Sequence, residues 1–189
     1  MPEAPVATEG GVQAGYRAPS ARWSVADDVR LLLGIHRLWP HLLEDMPVYA
    51  ELCRRVEESD RVAMEPSQEP NGRVQKLGEQ PLEGGLPMLW ATLAQEFPDR
   101  HYHYLMQRTQ RLRLHYHHRI PANFSDSAAA QLLELYQKYG PQYRVINKAM
   151  VLDSDGPSLR ALIRYYEIRQ ALIERASQTP HNPPDSPSS

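Results

Sequence analysis

The sequence has little of several features that mark whole classes of protein. It has one cysteine, Cys53, among 189 residues, which excludes an internal disulfide framework and is typical of a reducing compartment. No run approaches the 18 or so apolar residues that a membrane span needs. Residues 1–21 have neither the basic start nor the apolar centre of a secretory signal. We therefore expect an intracellular protein with no membrane partner.

Signatures of catalysis and of metal binding are also missing from the sequence. There is no Gly-x-Ser-x-Gly, no glycine-rich phosphate loop with lysine, no Cys-x-x-Cys and no His-Glu-x-x-His. Histidines do cluster, at His101, His103, His115, His117 and His118. On a helix, however, metal ligands need a spacing of three or four, and neighbours one or two apart point in different directions. We predict no enzymatic activity, no metal site and no cofactor.

Charge is unevenly distributed along the chain although the net charge is only −2. Residues 39–99 hold twelve acidic and five basic side chains, whereas residues 100–119 hold five arginines, five histidines and no acid. Two interpretations remain open. The basic segment is an electrostatic footprint for phosphate groups, or it is a solvated helix face balanced by the acidic segment.

Three stretches have the composition of chain that does not pack into a core. Residues 1–21 are rich in Gly, Ala and Pro, and residues 176–189 contain four prolines among polar residues. Neither buries enough apolar surface to offset its ordering entropy, so both are predicted to be disordered tails. Asp60–Gly85 combines prolines, glycines and many charges and is predicted to be a long internal loop.

The remaining sequence has apolar residues at helical spacing and no alternating strand pattern, which predicts an all-α fold. Ser24 and Ser125 are predicted N-caps, and Trp39-Pro40 and Gly140-Pro141 are predicted ends. Along the chain, helices are expected from Ser24 to Trp39, over Tyr49–Val56, Leu89–Phe97, His101–Tyr116, from Ser125 to Gly140, over Tyr143–Met150, and from Pro157 to about Arg175. In Tyr143–Met150, the residues Val145, Ile146 and Ala149 are expected to face inward.

Aromatic residues in the second half have a distinctive spacing. Phe124, Tyr143 and Tyr165 lie 19 and 22 residues apart, one in or beside each expected helix. With the segment that runs from Phe124 through Gly140 to Tyr143, and with Arg164-Tyr165, this half resembles the Myb/SANT family. Repeats of that family hold three spaced tryptophans, one per helix, as a small core. The tryptophans are replaced here by Phe or Tyr.

The first half resembles the same family in interrupted form. Trp23 and its acidic first turn resemble the opening helix, and the segment Trp90–Arg100 resembles the second helix and the turn that opens the third. Arg108 matches the arginine expected in the third helix, and Thr109 occupies the third aromatic position. The resemblance implies two three-helix Myb/SANT-like bundles of helix-turn-helix type. The first spans residues 22–119 with an acidic loop insertion at about 40–86, and the second spans residues 120–175, between tails 1–21 and 176–189.

In a helix-turn-helix unit the third helix is able to lie in the major groove of double-stranded DNA. The resemblance therefore implies DNA-binding residues in both third helices: Arg100, His103, Gln107, Arg108, Arg111, Ser158, Arg160 and Arg164. The first set is the more basic, so we expect it to hold DNA more tightly. For Arg108 and Arg164 a structural role, pairing with a carboxylate of the first helix, is an equal alternative. Trp23, Trp90, Phe124, Tyr143 and Tyr165 are expected in the core.

Two functions follow from the resemblance and are kept open. The first is a nuclear DNA-binding protein that acts in transcription regulation or chromosome organisation. The alternative is a SANT-type interaction module of a chromatin or transcription complex, which binds histone tails or partner subunits. The acidic insertion has two possible roles as well: it contacts a partner, or it shields the basic helix from non-specific nucleic acid.

Overall fold

The computed structural model describes residues 22–64, 84–117, 124–152 and 155–178, which form helices and no β-strand. The helices are α1 (Val25–Leu38), a 3-10 turn (Pro40–Leu43), α2 (Pro47–Met64), α3 (Gly85–Glu96), α4 (Tyr102–His117), α5 (Asp126–Tyr139), α6 (Tyr143–Met150) and α7 (Gly156–Ser177). The predicted all-α class is confirmed. Within the described ranges, no helix is both long enough and apolar enough to cross a bilayer. The predicted tails, residues 1–21 and the part of 176–189 after 178, lie outside the described residues.

Helix boundaries follow the local signals in the sequence. Ser24 forms a reciprocal capping box with Asp27, in which each side chain accepts a backbone N–H of the other at 3.0 Å. Ser125 accepts the N–H of the residue three positions on at 3.2 Å, so both predicted caps are confirmed. Asp155 caps α7 in the same way at 2.8 Å. Gly140 ends α5 with a φ of 58°, a conformation that costs glycine little.

Helix α2 occupies much of the segment that was predicted as an acidic loop insertion at about 40–86. Four apolar residues follow one another at helical spacing and are at most 6% exposed: Tyr49, Leu52, Cys53 and Val56. Charged residues form the outer face of this helix, where Arg54 pairs with Glu51 and Glu58. The helix predicted over Tyr49–Val56 is present and extends beyond both of those ends. The prediction of a loop from Asp60 is therefore wrong over Asp60–Met64. The rest of the predicted insertion, residues 65–83, lies outside the described residues.

Helix α7 is the centre of the fold. It packs against α1, α2, α4, α5 and α6, and its largest contact is with α2. The Tyr49 hydroxyl donates to the Tyr165 carbonyl oxygen at 3.4 Å, and Asp60 lies 3.3 Å from Arg175. Because the second contact lies further along the chain than the first on both helices, by 11 residues on α2 and 10 on α7, the two helices run parallel.

One continuous core joins helices from both predicted repeats. Helices α3 and α4 pack together, as do α5, α6 and α7, but α7 also packs on α1, α2 and α4. Fully buried side chains of this core come from all seven described α-helices and include Leu32, Val56, Leu93, Leu105, Leu132, Ile146 and Ile168. The two groups of helices are thus joined through α7.

The core positions predicted from aromatic spacing and from α6 are matched in part. Trp90 and Tyr165 are 8% and 5% exposed, whereas Trp23, Phe124 and Tyr143 are half-buried at the edge of the core. Thr109 is buried, and its hydroxyl donates to the Leu105 carbonyl oxygen at 2.9 Å. In α6 only Ile146 is buried. The prediction that Val145 and Ala149 face inward is wrong, because this eight-residue helix turns only one edge toward α5 and α7.

Cys53 provides a test of how firmly α2 is held. Its side chain is fully buried, and burial, together with the negative charge of Glu57, raises the pKa of the thiol to about 12. Only a thiolate reacts readily with disulfide reagents. We expect no reaction with a chromogenic disulfide at pH 8 in the folded protein, and one thiol per chain in denaturant. Rapid labelling without denaturant would instead mean that α2 detaches from the core.

Candidate nucleic-acid interface

A buried carboxylate holds two of the arginines that were predicted to bind DNA. Asp28, on α1, is completely buried. Its two oxygens accept from Nε and Nη2 of Arg108, both at 2.6 Å, and Oδ2 also accepts from Nε of Arg164 at 2.7 Å. The side chains of Arg108 and Arg164 are only 10% and 15% exposed. Both guanidinium groups therefore occupy the structural role that the sequence left open, with Asp28 as the carboxylate of the first helix.

Arg100, a third predicted DNA-binding residue, is also held inside the protein. Its side chain is 7% exposed, donates to Asp27 Oδ2 at 3.1 Å and lies 4.0 Å from the centre of the Trp23 ring. Burial acts to raise the pKa of Asp27, but hydrogen bonds to Ser24 and the charge of Arg100 outweigh it and lower that pKa. Contacts of Arg100 with Trp23 and Asp27 thus hold the turn between α3 and α4 against the N-terminus of α1.

The opposite side of α4 is open to solvent, and we call it the α4 face. It is formed by His103, Gln107, Gln110, Arg111 and Leu114, all exposed. These residues recur at intervals of three and four, so they lie on one side of the helix, opposite the buried Leu105, Thr109 and Leu112. Gln110 and Leu114 were not predicted from the sequence. Both residues continue the helical spacing that begins at His103. The positive charge of the segment pointed instead to Arg100 and Arg108, which are buried in the structure.

The α4 face has hydrogen-bonding groups and a small positive charge. Arg111 makes no ion pair with any described residue, while Arg113, at the edge, donates from Nε to Asp45 Oδ2 at 2.7 Å. The amide nitrogen of Gln107 lies 2.9 Å from Nε2 of His103. An amide nitrogen only donates, so this contact is a hydrogen bond when the imidazole carries its proton on Nδ1 and Nε2 is the acceptor. Gln107 then keeps its amide oxygen and one N–H available.

The predicted DNA-binding residues of the second repeat lie on a helix with little open surface. Arg160 is exposed, Ser158 is half-buried and Arg164 points to Asp28. Eight residues of α7 are buried, because five other helices pack around it. A helix enclosed to this extent cannot enter a groove along its length. The structure brings Arg164 next to Arg108, and it leaves Arg160 as the accessible member of the second set.

A groove between α5 and α7 has the opposite electrostatic character. It has a volume of about 310 Å³ and is lined by Leu133, Tyr136, Glu167 and Glu174 among others. Glu174 accepts from the Gln170 side chain at 2.8 Å, and Glu167 lies 3.4 Å from Arg164. Carboxylates beside an aromatic ring suit a cationic side chain.

No group of three or more His, Cys, Asp and Glu residues in the described part of the chain has the arrangement of a metal site. Comparison with known proteins gave no match, whether to family models, to curated proteins or to solved structures.

Proposed function

We propose that this chain binds double-stranded DNA through the α4 face. The observation that carries the proposal is that α4, the second helix of the α3–turn–α4 unit, presents an acid-free stripe of His, Gln and Arg to solvent. The major groove, about 12 Å wide, admits one α-helix, and these side chains are able to reach base edges or phosphates. The Myb/SANT resemblance supports the proposal, since in that family this helix is the one expected in the groove.

The proposed interface uses one reading helix per chain. The α4 face spans about 16 Å from His103 to Leu114 at about 1.5 Å per residue, which corresponds to roughly five base pairs at about 3.4 Å each. Helix α7 lacks a comparable face because other helices pack around it. Arg160 is available to touch a phosphate, but we assign base reading to α4 alone.

Arg111 is the residue whose removal tests this proposal. We expect Arg111→Ala to weaken binding of a random duplex and to reduce the slope of log affinity against log salt by about 0.9, the value for one lost phosphate contact. The measurement is a fluorescence-anisotropy titration across a salt series. Arg111 is exposed and makes no ion pair with a described residue, so the fold should be unaffected.

Arg55→Ala is the matched control for this measurement. It removes the same charge from an exposed arginine of α2 that pairs with Glu51, and it should leave the salt slope unchanged. If both variants lower the affinity equally, attraction is a property of net charge and not of α4. If the unmodified protein binds no duplex even at low salt, the DNA proposal is wrong.

A nuclear location and a role in transcription regulation or chromosome organisation are part of the same proposal. They follow from binding duplex DNA. A fluorescent fusion of the full chain, imaged beside a DNA stain, is expected to overlap with nuclear DNA. Exclusion from the nucleus would remove this part of the proposal while leaving the chemistry of the α4 face open.

A second candidate function is favoured by the groove between α5 and α7. Glu167 and Glu174 with Tyr136 suit a lysine-rich segment, and histone tails have that chemistry. A SANT-type module for chromatin would bind such a tail there, on a surface separate from the α4 face. We expect a histone H3 tail peptide to bind in this case, and Glu174→Gln to weaken the peptide without changing DNA affinity. Loss of peptide binding in Arg111→Ala but not in Glu174→Gln would place the peptide elsewhere.

A further inference from the structure

We infer that the α4 face selects A·T base pairs, with Gln107 and Gln110 reading adenine and Leu114 contacting the methyl group of thymine. The inference rests on the proposed function and narrows it to a class of target. It rests on the chemistry of these three exposed residues of the α4 face and on their spacing along α4.

The two glutamines match the major-groove edge of adenine. A carboxamide donates to N7 and accepts from the N6 amino group in one bidentate pair, and no other base offers that order of groups. The amide nitrogen of Gln107 lies 2.9 Å from His103 Nε2, and this contact fixes the orientation of the amide. Its oxygen and its second N–H remain available for adenine. Gln110 lies one turn further along and is exposed.

Leu114 is an apolar residue on an otherwise polar stripe. It is 67% exposed, and it continues the line of His103, Gln107 and Gln110 toward the C-terminal end of α4. In the major groove the only apolar group on a base edge is the C5-methyl of thymine. Leu114 lies about 10 Å along the axis from Gln107, so the adenine and thymine contacts fall within roughly three to four base pairs.

Arginine selects guanine most often, and the arginines of this segment are placed away from that task. Arg100 and Arg108 are held by Asp27 and Asp28, and Arg113 pairs with Asp45. Arg111 lies beside the central line of the face, next to Gln110, in a position suited to phosphate. The central line of the face therefore consists of His103 and of the three residues that favour A·T pairs, Gln107, Gln110 and Leu114.

The experiment compares three duplex pools of equal length with identical flanks, titrated with the full chain. Six central pairs are random A·T, random G·C, or random A·T with deoxyuridine in place of thymidine. We expect the A·T pool to bind about tenfold or more tightly than the G·C pool, as one bidentate contact predicts. The deoxyuridine pool, which lacks only the methyl groups, should bind about three- to fourfold more weakly than the thymidine pool.

Two variants assign these differences to residues. Gln107→Ala combined with Gln110→Ala should reduce the preference for A·T over G·C, and Leu114→Ala should abolish the difference between thymidine and deoxyuridine. Gln137→Ala on α5 and Val62→Ala on α2, both at exposed positions, are controls and should change neither ratio. Deoxyuridine lacks only the methyl group in the major groove and keeps the minor-groove base edges of thymidine. Loss of the methyl effect in Leu114→Ala therefore assigns that effect to α4 and not to DNA shape.

The outcomes separate this inference from the function on which it rests. Equal, salt-dependent binding to all three pools, or a preference for G·C, overturns the A·T inference and leaves DNA binding intact. An A·T preference that persists unchanged in the glutamine and leucine variants overturns it as well. Failure to bind any pool at low salt overturns the DNA proposal itself.

Discussion

Replacement of Asp28 by alanine is expected to lower the free energy of unfolding by about 3–5 kcal/mol, the range found when one partner of a buried ion pair is removed. Asp28 is completely buried and is shared by Arg108 and Arg164, whose side chains are at most 15% exposed. Without the carboxylate, two positive charges face each other with little water to solvate them. Denaturant unfolding followed by far-UV circular dichroism measures the loss.

The ion pair between Arg37 and Glu96 provides the control. It also joins two helices, α1 and α3, but its side chains are 48% and 30% exposed. Because water solvates both groups, Glu96→Gln should change stability by less than about 1 kcal/mol. If Asp28→Ala cost no more than Glu96→Gln, Asp28 would not be the group that joins the helices.

The position of Asp28 also decides which variants report on DNA binding. Arg108→Ala would remove one of its two buried partners, so a weaker DNA affinity would follow from partial unfolding as well as from a lost contact. Arg111→Ala does not have this ambiguity, since Arg111 is exposed and has no described ionic partner. Stability and affinity therefore need different arginines of the same helix.

Local signals in the sequence were enough to predict most of the helices. Ser24 and Ser125 act as caps because a hydroxyl satisfies N–H groups that no helix can pair internally. Tyr143–Met150 was predicted with both ends correct, because Gly140-Pro141 and the turn before Pro157 leave little freedom in between. These interactions involve residues close in sequence, which is why the sequence reveals them.

Long-range contacts explain what could not be predicted. Asp28 lies 80 residues before Arg108 and 136 before Arg164, and no local pattern shows that both arginines converge on it. The C-terminal end of α2, beyond the predicted helix Tyr49–Val56, was mistaken for a loop because many charges follow Val56, while the apolar side of α2 meets α7 more than a hundred residues away. The α4 face was predicted in part, since His103, Gln107 and Arg111 lie on it. Gln110 and Leu114 have the same helical spacing, so the sequence contained the information needed to predict them as well.

Substitution of Val56 by aspartate is the second change for which we expect a large effect, a loss of at least about 3 kcal/mol of stability. Val56 is completely buried on the side of α2 that packs against α7, and a carboxylate there would have to lose its hydration without a partner. Helix α7 packs against α1, α2, α4, α5 and α6. The destabilisation should therefore affect the whole fold and not α2 alone.

Val62→Asp is the same substitution six residues further along the same helix, at a side chain that is 64% exposed, and it should change stability by no more than about 0.5 kcal/mol. The three tryptophans, at positions 23, 39 and 90, all precede α4. Their fluorescence therefore reports on the first group of helices, α1 to α4, whereas circular dichroism reports on all the helices. With one shared core, the two transitions should coincide in the unmodified protein and shift together in Val56→Asp. If Val56→Asp moves only the fluorescence transition and a second transition stays in place, α5, α6 and α7 fold independently, and α2 belongs to the first group of helices alone.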